Sequence, residues 1–299
     1  MAEMSIADQL VHTTVRIECQ DAAGQASSGT GFFFNFCQGS DGQHVPALIT
    51  NKHVIKDAQI GVFHLNTTGD NGDPAHGEHV PVPIADFEKG WIPHPEADVD
   101  LAAFPLAPIF EWVFQTQGKR AYLKSVNREF MALADDLNEL SAVEDIVMVG
   151  YPNGLWDARN NFPIVRRGIT ATPPYVDFEG RKEFMIDCAC FPGSSGSPVF
   201  LYNIGSYANK GGGVSLGGRV KFLGVLWGGP QHTAQGAIRV VPIPTRDEPV
   251  AFSRIPNNLG YCIKAEKLLA FEEHFERLLK AEKTAKESGD IGSGPETAA

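Results

Sequence analysis

Short β-type runs separated by turns rich in Gly and Pro recur along most of this chain, and they limit the fold class more than any other feature. Residues 15–19 alternate apolar and polar side chains, which is the period of a half-buried strand. Further strand-like runs span residues 29–36, 45–50, 59–64, 79–84, 145–150, 164–170, 183–187, 199–202 and 220–228. The pattern predicts an all-β sandwich or barrel fold. With 299 residues, two consecutive β-units joined near residues 107–141 are the expected division.

Helical spacing is clear only near the C-terminus. Apolar residues that share one helical face there are Leu268, Phe271, Phe275, Leu278 and Leu279. We expect a surface helix over residues 266–286 that docks on the core, followed by a disordered tail over 287–299. A shorter helix is expected around residues 130–140.

Composition excludes several classes of function. The net charge is −11 and no strongly basic patch occurs, which argues against nucleic acid as a partner. Neither a secretory signal nor an apolar stretch long enough to span a membrane is visible, so a cytoplasmic protein is expected. The five cysteines lack zinc-type spacing and are expected to be reduced thiols. The polar loop over residues 67–78 matches no metal motif, and we predict no metal or cofactor.

The stretch Phe191–Val199 carries the first chemical signal, a serine among glycines directly before a β-type run. A serine hydroxyl becomes a nucleophile only when a base takes its proton and N–H groups stabilise the resulting oxyanion. Gly193 permits a tight turn that presents its own N–H and that of Ser195 on one side. Taken alone, the stretch is equally consistent with an ordinary turn.

A base and a third group for such a serine occur upstream. His53 directly follows an apolar strand, at the mouth of a turn. Asp98 and Asp100 both qualify as the carboxylate that orients the imidazole, and in a strand both would face one way. Asp100 borders an apolar run and is the better placed of the two to be buried beside a histidine.

Three segments together resemble the signatures of the trypsin/chymotrypsin-like serine peptidases, most closely the bacterial high-temperature-requirement (Deg-type) branch and its single-domain relatives. The segments are Thr50–Val54, Asp98–Ala102 and Pro192–Pro198, in the family's order of His, then Asp, then Ser. The resemblance covers roughly residues 10–270. It implies Ser195 as nucleophile, His53 as general base and acid, Asp100 as orienting carboxylate, and the N–H groups of Gly193 and Ser195 as the oxyanion hole.

The resemblance also implies a fold of two Greek-key β-barrels of the chymotrypsin type with a C-terminal helix. The first barrel would span residues 1–125 and carry the histidine and the aspartate. The second would span residues 126–265 and carry the serine and the specificity pocket. A protein or peptide is the implied substrate. A regulatory protein partner is a hypothesis that no residue identifies.

Two positions in the serine stretch depart from the family. Ser197 stands where a glycine is usual, and we expect this small side chain to be tolerated. Ser194 replaces the aspartate that zymogen-type members pair with a freed N-terminus, so that ion pair cannot activate this chain.

The implied specificity pocket has no acidic residue at its base, which predicts cleavage after a neutral, small-to-medium apolar residue. Leu226–Gly228 is expected to pair with the substrate as an added strand. The opposite wall is assigned to Gly260 rather than Gly236, which makes residues 230–257 a long loop beside the pocket. The implied substrate-binding residues are Ala189, Cys190, Leu226, Trp227, Gly228 and Gly260.

Two other functions fit parts of the sequence. Residues 193–197 nearly match the Gly-x-Ser-x-Gly elbow of an α/β-hydrolase esterase, but that fold needs strand–helix alternation and the order Ser, Asp, His. A catalytically silent or partner-gated peptide-binding protein of trypsin-like fold is the second alternative. A pure binder would have no need of all three of His53, Asp100 and Ser195, whereas an enzyme gated by a partner would look the same in sequence.

Overall fold

A computed structural model describes residues 4–234 and 253–287. The predicted tail over 287–299, apart from its first residue, and Gly236 lie outside the described residues. Strands dominate, as the sequence predicts, and the sheets are antiparallel except for one two-residue strand. The strand–helix alternation of an α/β-hydrolase is not found in the described ranges, so that alternative is wrong.

The first half of the chain forms one eight-stranded sheet. Its strands are β1 (Thr14–Asp21), β2 (Ala26–Phe36), β3 (Val45–Thr50), β4 (Ala58–Thr68), β5 (Pro74–Ala85), β6 (Ile92–Pro93), β7 (Ala102–Pro105) and β8 (Val126–Asn127). They run in the order β5-β4-β1-β2-β3-β7-β6, and β8 pairs in parallel with β2. The helices of this half are α1 (Ile6–Leu10), α2 (Lys52–Ile55) and α3 (Ala107–Gln117).

The second half contains a closed six-stranded barrel in the order β10-β11-β18-β15-β12-β9. The strands of this half are β9 (Asp145–Gly150), β10 (Ile164–Thr170), β11 (Glu183–Asp187), β12 (Pro198–Asn203), β13 (Ser206–Ala208), β14 (Val214–Leu216), β15 (Arg219–Gly228), β16 (Gln231–Ala234), β17 (Ser253–Pro256) and β18 (Leu259–Lys264). β13 pairs with β14 and β16 with β17, each pair outside the barrel. The helices are α4 (Ala134–Asn138) and α5 (Leu269–Glu287).

Strand β2 explains how the two halves share one core. Its side chains alternate in direction, so Phe33 packs in a cluster built from the first sheet, whereas Phe32, Phe34 and Phe36 face a second cluster. That second cluster also contains Phe200 of the barrel and residues of α5, while a third cluster fills the barrel. The unbroken apolar run of β2 therefore reflects burial on both faces.

The predicted C-terminal helix is present as α5, preceded by a 3₁₀ turn over Ala265–Leu268. Phe271 and Phe275 are buried against Phe36, with ring centroids 6.2 and 5.2 Å away. Leu278 and Leu279 are 46% and 45% exposed, so their predicted docking on the core is wrong. The first turns of the helix cover β2, and the later ones extend beyond it.

Two further helices differ from the sequence predictions. The helix expected around residues 130–140 is only the five-residue α4, preceded by a 3₁₀ turn over Arg128–Phe130. Helix α3 was not predicted, although Pro108 in its first turn and Gly118 just after its end are typical helix boundary residues. No helix in the described ranges is long and apolar enough to cross a membrane.

Candidate active site

A cleft of about 420 Å³ lies where the two halves meet. The first half contributes Ser27, Ser28, His53 and Val54 to its lining. The second half contributes Cys190, Phe191, Pro192, Gly193, Ser195, Leu226, Trp227, Gly228, Gly229, Pro230 and Leu259. The structure thus brings His53 and Ser195, which are far apart in the sequence, to one cavity.

His53 and Asp100 form a close pair at the edge of this cleft. The imidazole Nδ1 lies 2.5 Å from Oδ2 of Asp100, and the backbone N–H of His53 donates to Oδ1 at 3.1 Å. A carboxylate only accepts hydrogen bonds, so Nδ1 is the donor in this contact and Nε2 is the ring nitrogen that does not contact Asp100. The His53 side chain is 47% exposed and that of Asp100 is 23% exposed, so the imidazole remains accessible from the cleft.

Local structure sets the direction of both side chains. β3 ends at Thr50, and α2 begins directly after Asn51, which places His53 in the first helical turn. The buried Asn51 side chain does not cap the helix; it donates to the backbone oxygen of Asp100 at 2.7 Å. Asn51 therefore connects the segment of His53 to the segment of Asp100, a contact that sequence reasoning missed.

Asp98 points elsewhere. The segment before β7 is a turn, in which the N–H of Val99 donates to Glu96, rather than a strand. The expectation that Asp98 and Asp100 would face one way in a strand is therefore wrong for this segment. Asp98 is exposed, whereas Asp100 lies against His53.

The loop around Ser195 turns its carbonyl groups away from the cleft. Gly193 has a φ of +85°, and a Cβ atom there would lie 2.5 Å from the backbone oxygen of Tyr151, so only glycine fits. The oxygen of Pro192 accepts the N–H of Asn153 at 2.5 Å. Within the described part of the chain, the N–H groups of Gly193 and Ser195 donate to no protein acceptor. Both are free to bind a substrate oxygen.

The two unusual serines of this loop are buried. Ser194 closes a turn with Phe191, since its N–H donates to the Phe191 oxygen at 3.0 Å and its Oγ accepts the Phe191 N–H at 3.4 Å. Ser197 is completely buried and faces Gly150, where a Cβ atom would lie 2.0 Å from its Oγ. The small residue at 150 makes room for the serine at 197.

Four of the six predicted pocket residues line the cleft: Cys190, Leu226, Trp227 and Gly228. Ala189 does not; its carbonyl accepts a hydrogen bond from Arg166, whose guanidinium also lies over the Phe191 ring. Gly260 does not line the cleft either, because it lies behind the wall, where a Cβ atom would approach Leu226 and Cys190 to 2.5 and 2.7 Å. Burial raises the pKa of Cys190 to about 12, so it presents a neutral thiol.

The edge of β15 beside the cleft has no strand next to it in the described ranges. β12 begins at Pro198, opposite Val225, and the residues just before it continue this pairing to Leu226: the Leu226 N–H donates to the Ser197 oxygen at 2.9 Å and the Leu226 oxygen accepts the Gly196 N–H at 2.8 Å. The edge without a neighbouring strand is therefore that of residues 227 and 228. On the other side of β15, Leu226 and Gly228 pair with β18. The predicted long loop over residues 230–257 leaves the cleft through β16 and returns through β17, and residues 235–252 lie outside the described part.

Sequence reasoning missed several residues that support or line the site. The Ser195 loop is supported by Thr30 and Asn153, and the His–Asp pair is supported by Asn51. The cleft is also lined by Ser27, Ser28 and Leu259. Thr30 carried a signal, because it is a polar residue between two glycines at the start of an apolar strand. Among the described residues, no group of three or more His, Cys, Asp and Glu side chains could hold a metal ion.

Several solved structures are similar to this one at low sequence identity. The active form of the Rv3671c protease from M. tuberculosis is 14% identical, with a TM-score of 0.43 over 87% of this chain and 79% of that chain. The HtrA-type protease AlgW with a tripeptide is 14% identical, with a TM-score of 0.43 over 88% of this chain and 59% of that chain. The thermostable serine protease AL20 from an extremophilic microorganism is 14% identical, with a TM-score of 0.43 over 85% of this chain and 91% of that chain.

A family comparison gives the stronger result. No curated protein sequence matches the chain. Residues 29–205, more than half of the 299 residues, match the family described as the trypsin-like peptidase domain, and this segment contains His53, Asp100 and Ser195. The chain therefore belongs to the trypsin-like peptidase domain family, and it is a trypsin-like serine protease with an all-β, chymotrypsin-type fold.

Proposed function

We propose that the protein is a serine endopeptidase that cleaves peptide bonds through an acyl-enzyme, with Ser195, His53 and Asp100 as its catalytic triad. One observation carries the proposal. The His53–Asp100 pair faces a cleft that Ser195 also lines, beside two backbone N–H groups with no protein acceptor in the described ranges.

In the proposed reaction, Oγ of Ser195 attacks the substrate carbonyl carbon while Nε2 of His53 takes the hydroxyl proton. Asp100 keeps the imidazole in the required tautomer and stabilises its charged form. The N–H groups of Gly193 and Ser195 bind the oxygen that becomes negative. When the C–N bond breaks, the nitrogen leaves with the proton from His53. Water then attacks the ester, gives a proton to His53, and releases the acid as Ser195 regains its proton.

The lining of the cleft supports a neutral, small-to-medium apolar residue before the cleaved bond. Cys190, Leu226 and Gly228 are uncharged and small or apolar, and none of the described residues that line the cavity is acidic. The edge of residues 227 and 228, beyond the contacts of Leu226 with Gly196 and Ser197, provides a place for the substrate backbone to add as a strand.

Division of labour between two β-units is part of the proposal. Residues 1–125 would supply the histidine and the aspartate, and residues 126–265 would supply the serine and the pocket, with the helix over 266–286 after them. Strands β1–β7 pair with one another, and β9 to β18 pair among themselves, which supports the division, although β8, directly after the proposed boundary, still pairs with β2 of the first unit. The cytoplasmic location and a regulatory protein partner stay predictions.

A fluorophosphonate probe, which reacts with activated serines, tests the proposal. We expect the wild type to be labelled and Ser195→Ala to be unlabelled, with peptide-library cleavage showing the same dependence. Ser194→Ala is the matched control, because its hydroxyl lies in the same loop but closes a buried turn. Wild-type protein that remains unlabelled would favour the silent peptide-binding alternative, and labelling that survives in Ser195→Ala would assign the nucleophile elsewhere.

A further inference from the structure

Thr30 is a completely buried residue of β2 whose hydroxyl and backbone N–H both bond to the Ser195 loop. Its hydroxyl donates to the backbone oxygen of Gly193 at 2.9 Å and accepts the N–H of Tyr151 at 3.0 Å. Its own N–H donates to the backbone oxygen of Ser195 at 2.9 Å. Its carbonyl accepts the hydroxyl of Thr50 at 2.7 Å. A residue of the first half thus holds two carbonyl groups of the loop in the second.

These contacts restrain the backbone angles of Gly193, because each peptide group is planar and turns as a unit, and the peptide groups on both sides of the Gly193 Cα are held. The N–H of Gly193 lies in the same plane as the Pro192 carbonyl, which Asn153 holds. The Gly193 carbonyl on the other side is held by Thr30. Glycine is the residue with the widest choice of backbone angles, so restraining both flanking peptide planes matters most at this position.

The same hydroxyl also holds the turn that supports the loop from the other side. Tyr151, whose N–H donates to Thr30, begins the 3₁₀ turn over Pro152–Gly154. Asn153 of this turn donates to the Pro192 oxygen. Gly196, with a φ of +86°, packs so closely on Thr30 that a Cβ atom there would lie 1.9 Å from the Thr30 oxygen. The Thr30 hydroxyl therefore acts on both sides of Gly193. It holds the Gly193 carbonyl directly, and it holds the turn whose Asn153 bonds the Pro192 carbonyl.

We propose that Thr30 is a positioning residue of the oxyanion hole, whose hydroxyl holds the Gly193 carbonyl and thereby restrains the backbone angles at Gly193, so that the Gly193 N–H faces the cleft. The inference rests on the proposed function. Thr30 does not line the cleft, so removing its hydroxyl should weaken stabilisation of the transition state and leave ground-state binding of the peptide nearly unchanged.

Three variants test the proposal. Thr30→Val keeps the shape of the side chain and removes the hydroxyl, whereas Thr30→Ser keeps the hydroxyl. Thr170→Val is the matched control, because the equally buried Thr170 hydroxyl also bridges a carbonyl (Ala142, 2.9 Å) and an N–H (Glu144, 2.9 Å), but away from the cleft. Each variant is measured for kcat and KM per titrated active site, for inhibition by a substrate-like peptide aldehyde, and for thermal stability.

We expect Thr30→Val to lower kcat about 10- to 100-fold, somewhat less than removal of an oxyanion donor, with KM within about threefold of wild type. The affinity for the aldehyde, whose adduct carries an oxyanion, should fall by a similar factor. Thr30→Ser should restore wild-type kcat. Thr170→Val should lower the melting temperature and keep wild-type kcat.

A folded Thr30→Val variant with wild-type kcat would overturn the inference, as would equal losses of kcat in Thr30→Val and Thr170→Val or a change confined to KM. Should Thr30→Val not fold, Thr30→Ala and Thr30→Ser form a second pair, since both lack the methyl group and differ by one hydroxyl. Equal kcat in these two would also overturn it. Absence of wild-type activity and probe labelling is a separate result, which would contradict the proposed function itself.

Discussion

Asp100 contacts His53 with both carboxylate oxygens, one on the ring and one on the backbone N–H. The ring contact fixes the tautomer, and the backbone contact fixes the carboxylate relative to α2. The Asn51 side chain holds the Asp100 main chain by donating to its backbone oxygen. The imidazole is therefore oriented by a carboxylate whose main chain is itself held in place, which is the arrangement that the proposed general base requires.

Replacement of this carboxylate has a specific expected result. Asp100→Asn presents an amide N–H to the ring, which favours the tautomer with the proton on Nε2, and kcat should fall about 10⁴-fold. Asp98→Asn is the control, since Asp98 is exposed and makes no contact with His53. Steady-state kinetics on a cleaved peptide, with circular dichroism to verify folding, measures both variants. A comparable loss in Asp98→Asn alone would contradict the assignment of Asp100.

Among the elements, α5 connects the two halves by covering the open side of β2. Phe271 is completely buried, its ring 6.2 Å from that of Phe36 and edge-on to His94 at 5.3 Å. His94 Nε2 also bonds the Lys267 oxygen at 2.9 Å, and its Nδ1 accepts the Glu96 N–H. The helix therefore packs against the turn that leads to Asp100 as well as against the sheet.

Truncation of one side chain measures this packing. Phe271→Ala should lower the free energy of unfolding by about 3–5 kcal/mol, since it removes a buried ring and leaves a cavity. Leu278→Ala, on the exposed part of the same helix, should change it by less than about 0.5 kcal/mol. Urea unfolding followed by circular dichroism compares the two. Equal effects would mean that α5 is not held by its first turns.

At the level of elements, alternation predicted β1, and short β-type runs between turns predicted most other strands, because both patterns are local properties of the sequence. Helix α3 was missed because its exposed Trp112 and Phe114 interrupt an amphipathic pattern. The proposed triad came from motif order. The contacts of Asn51 and Thr30 could not be predicted, since each depends on a backbone oxygen brought close only by the fold.

In the whole molecule, His12 lies between segments that are distant in sequence. It is 4% exposed, its ring packs edge-on to Tyr122 and Phe162, and its Nδ1 has no hydrogen-bond partner. Burial, with smaller effects of nearby His76 and Lys124, lowers the pKa of His12 to about 4, although Asp8 opposes this. The histidine is neutral in the folded protein.

The pKa of His12 is lower in the folded chain than in the unfolded chain, so acid lowers the stability of the fold. Below about pH 6.5 the unfolded chain binds a proton at His12 that the folded chain does not bind until about pH 4, so acid favours unfolding within that range. Between pH 7.5 and 5 the expected loss is about 2 kcal/mol from this residue. His12→Phe should remove that part of the pH dependence in urea unfolding at the two pH values. An unchanged pH dependence would show that His12 does not titrate as expected.

The cleft draws His53 from the first half and Ser195 from the second, and Thr30 of the first half contacts the loop of the second. During synthesis, the chain has emerged past its histidine long before its serine. A nascent or partly folded chain therefore holds only fragments of the cleft. Under the proposed mechanism, hydrolysis requires the completed tertiary structure, so a chain that is still folding would cleave neither itself nor its neighbours.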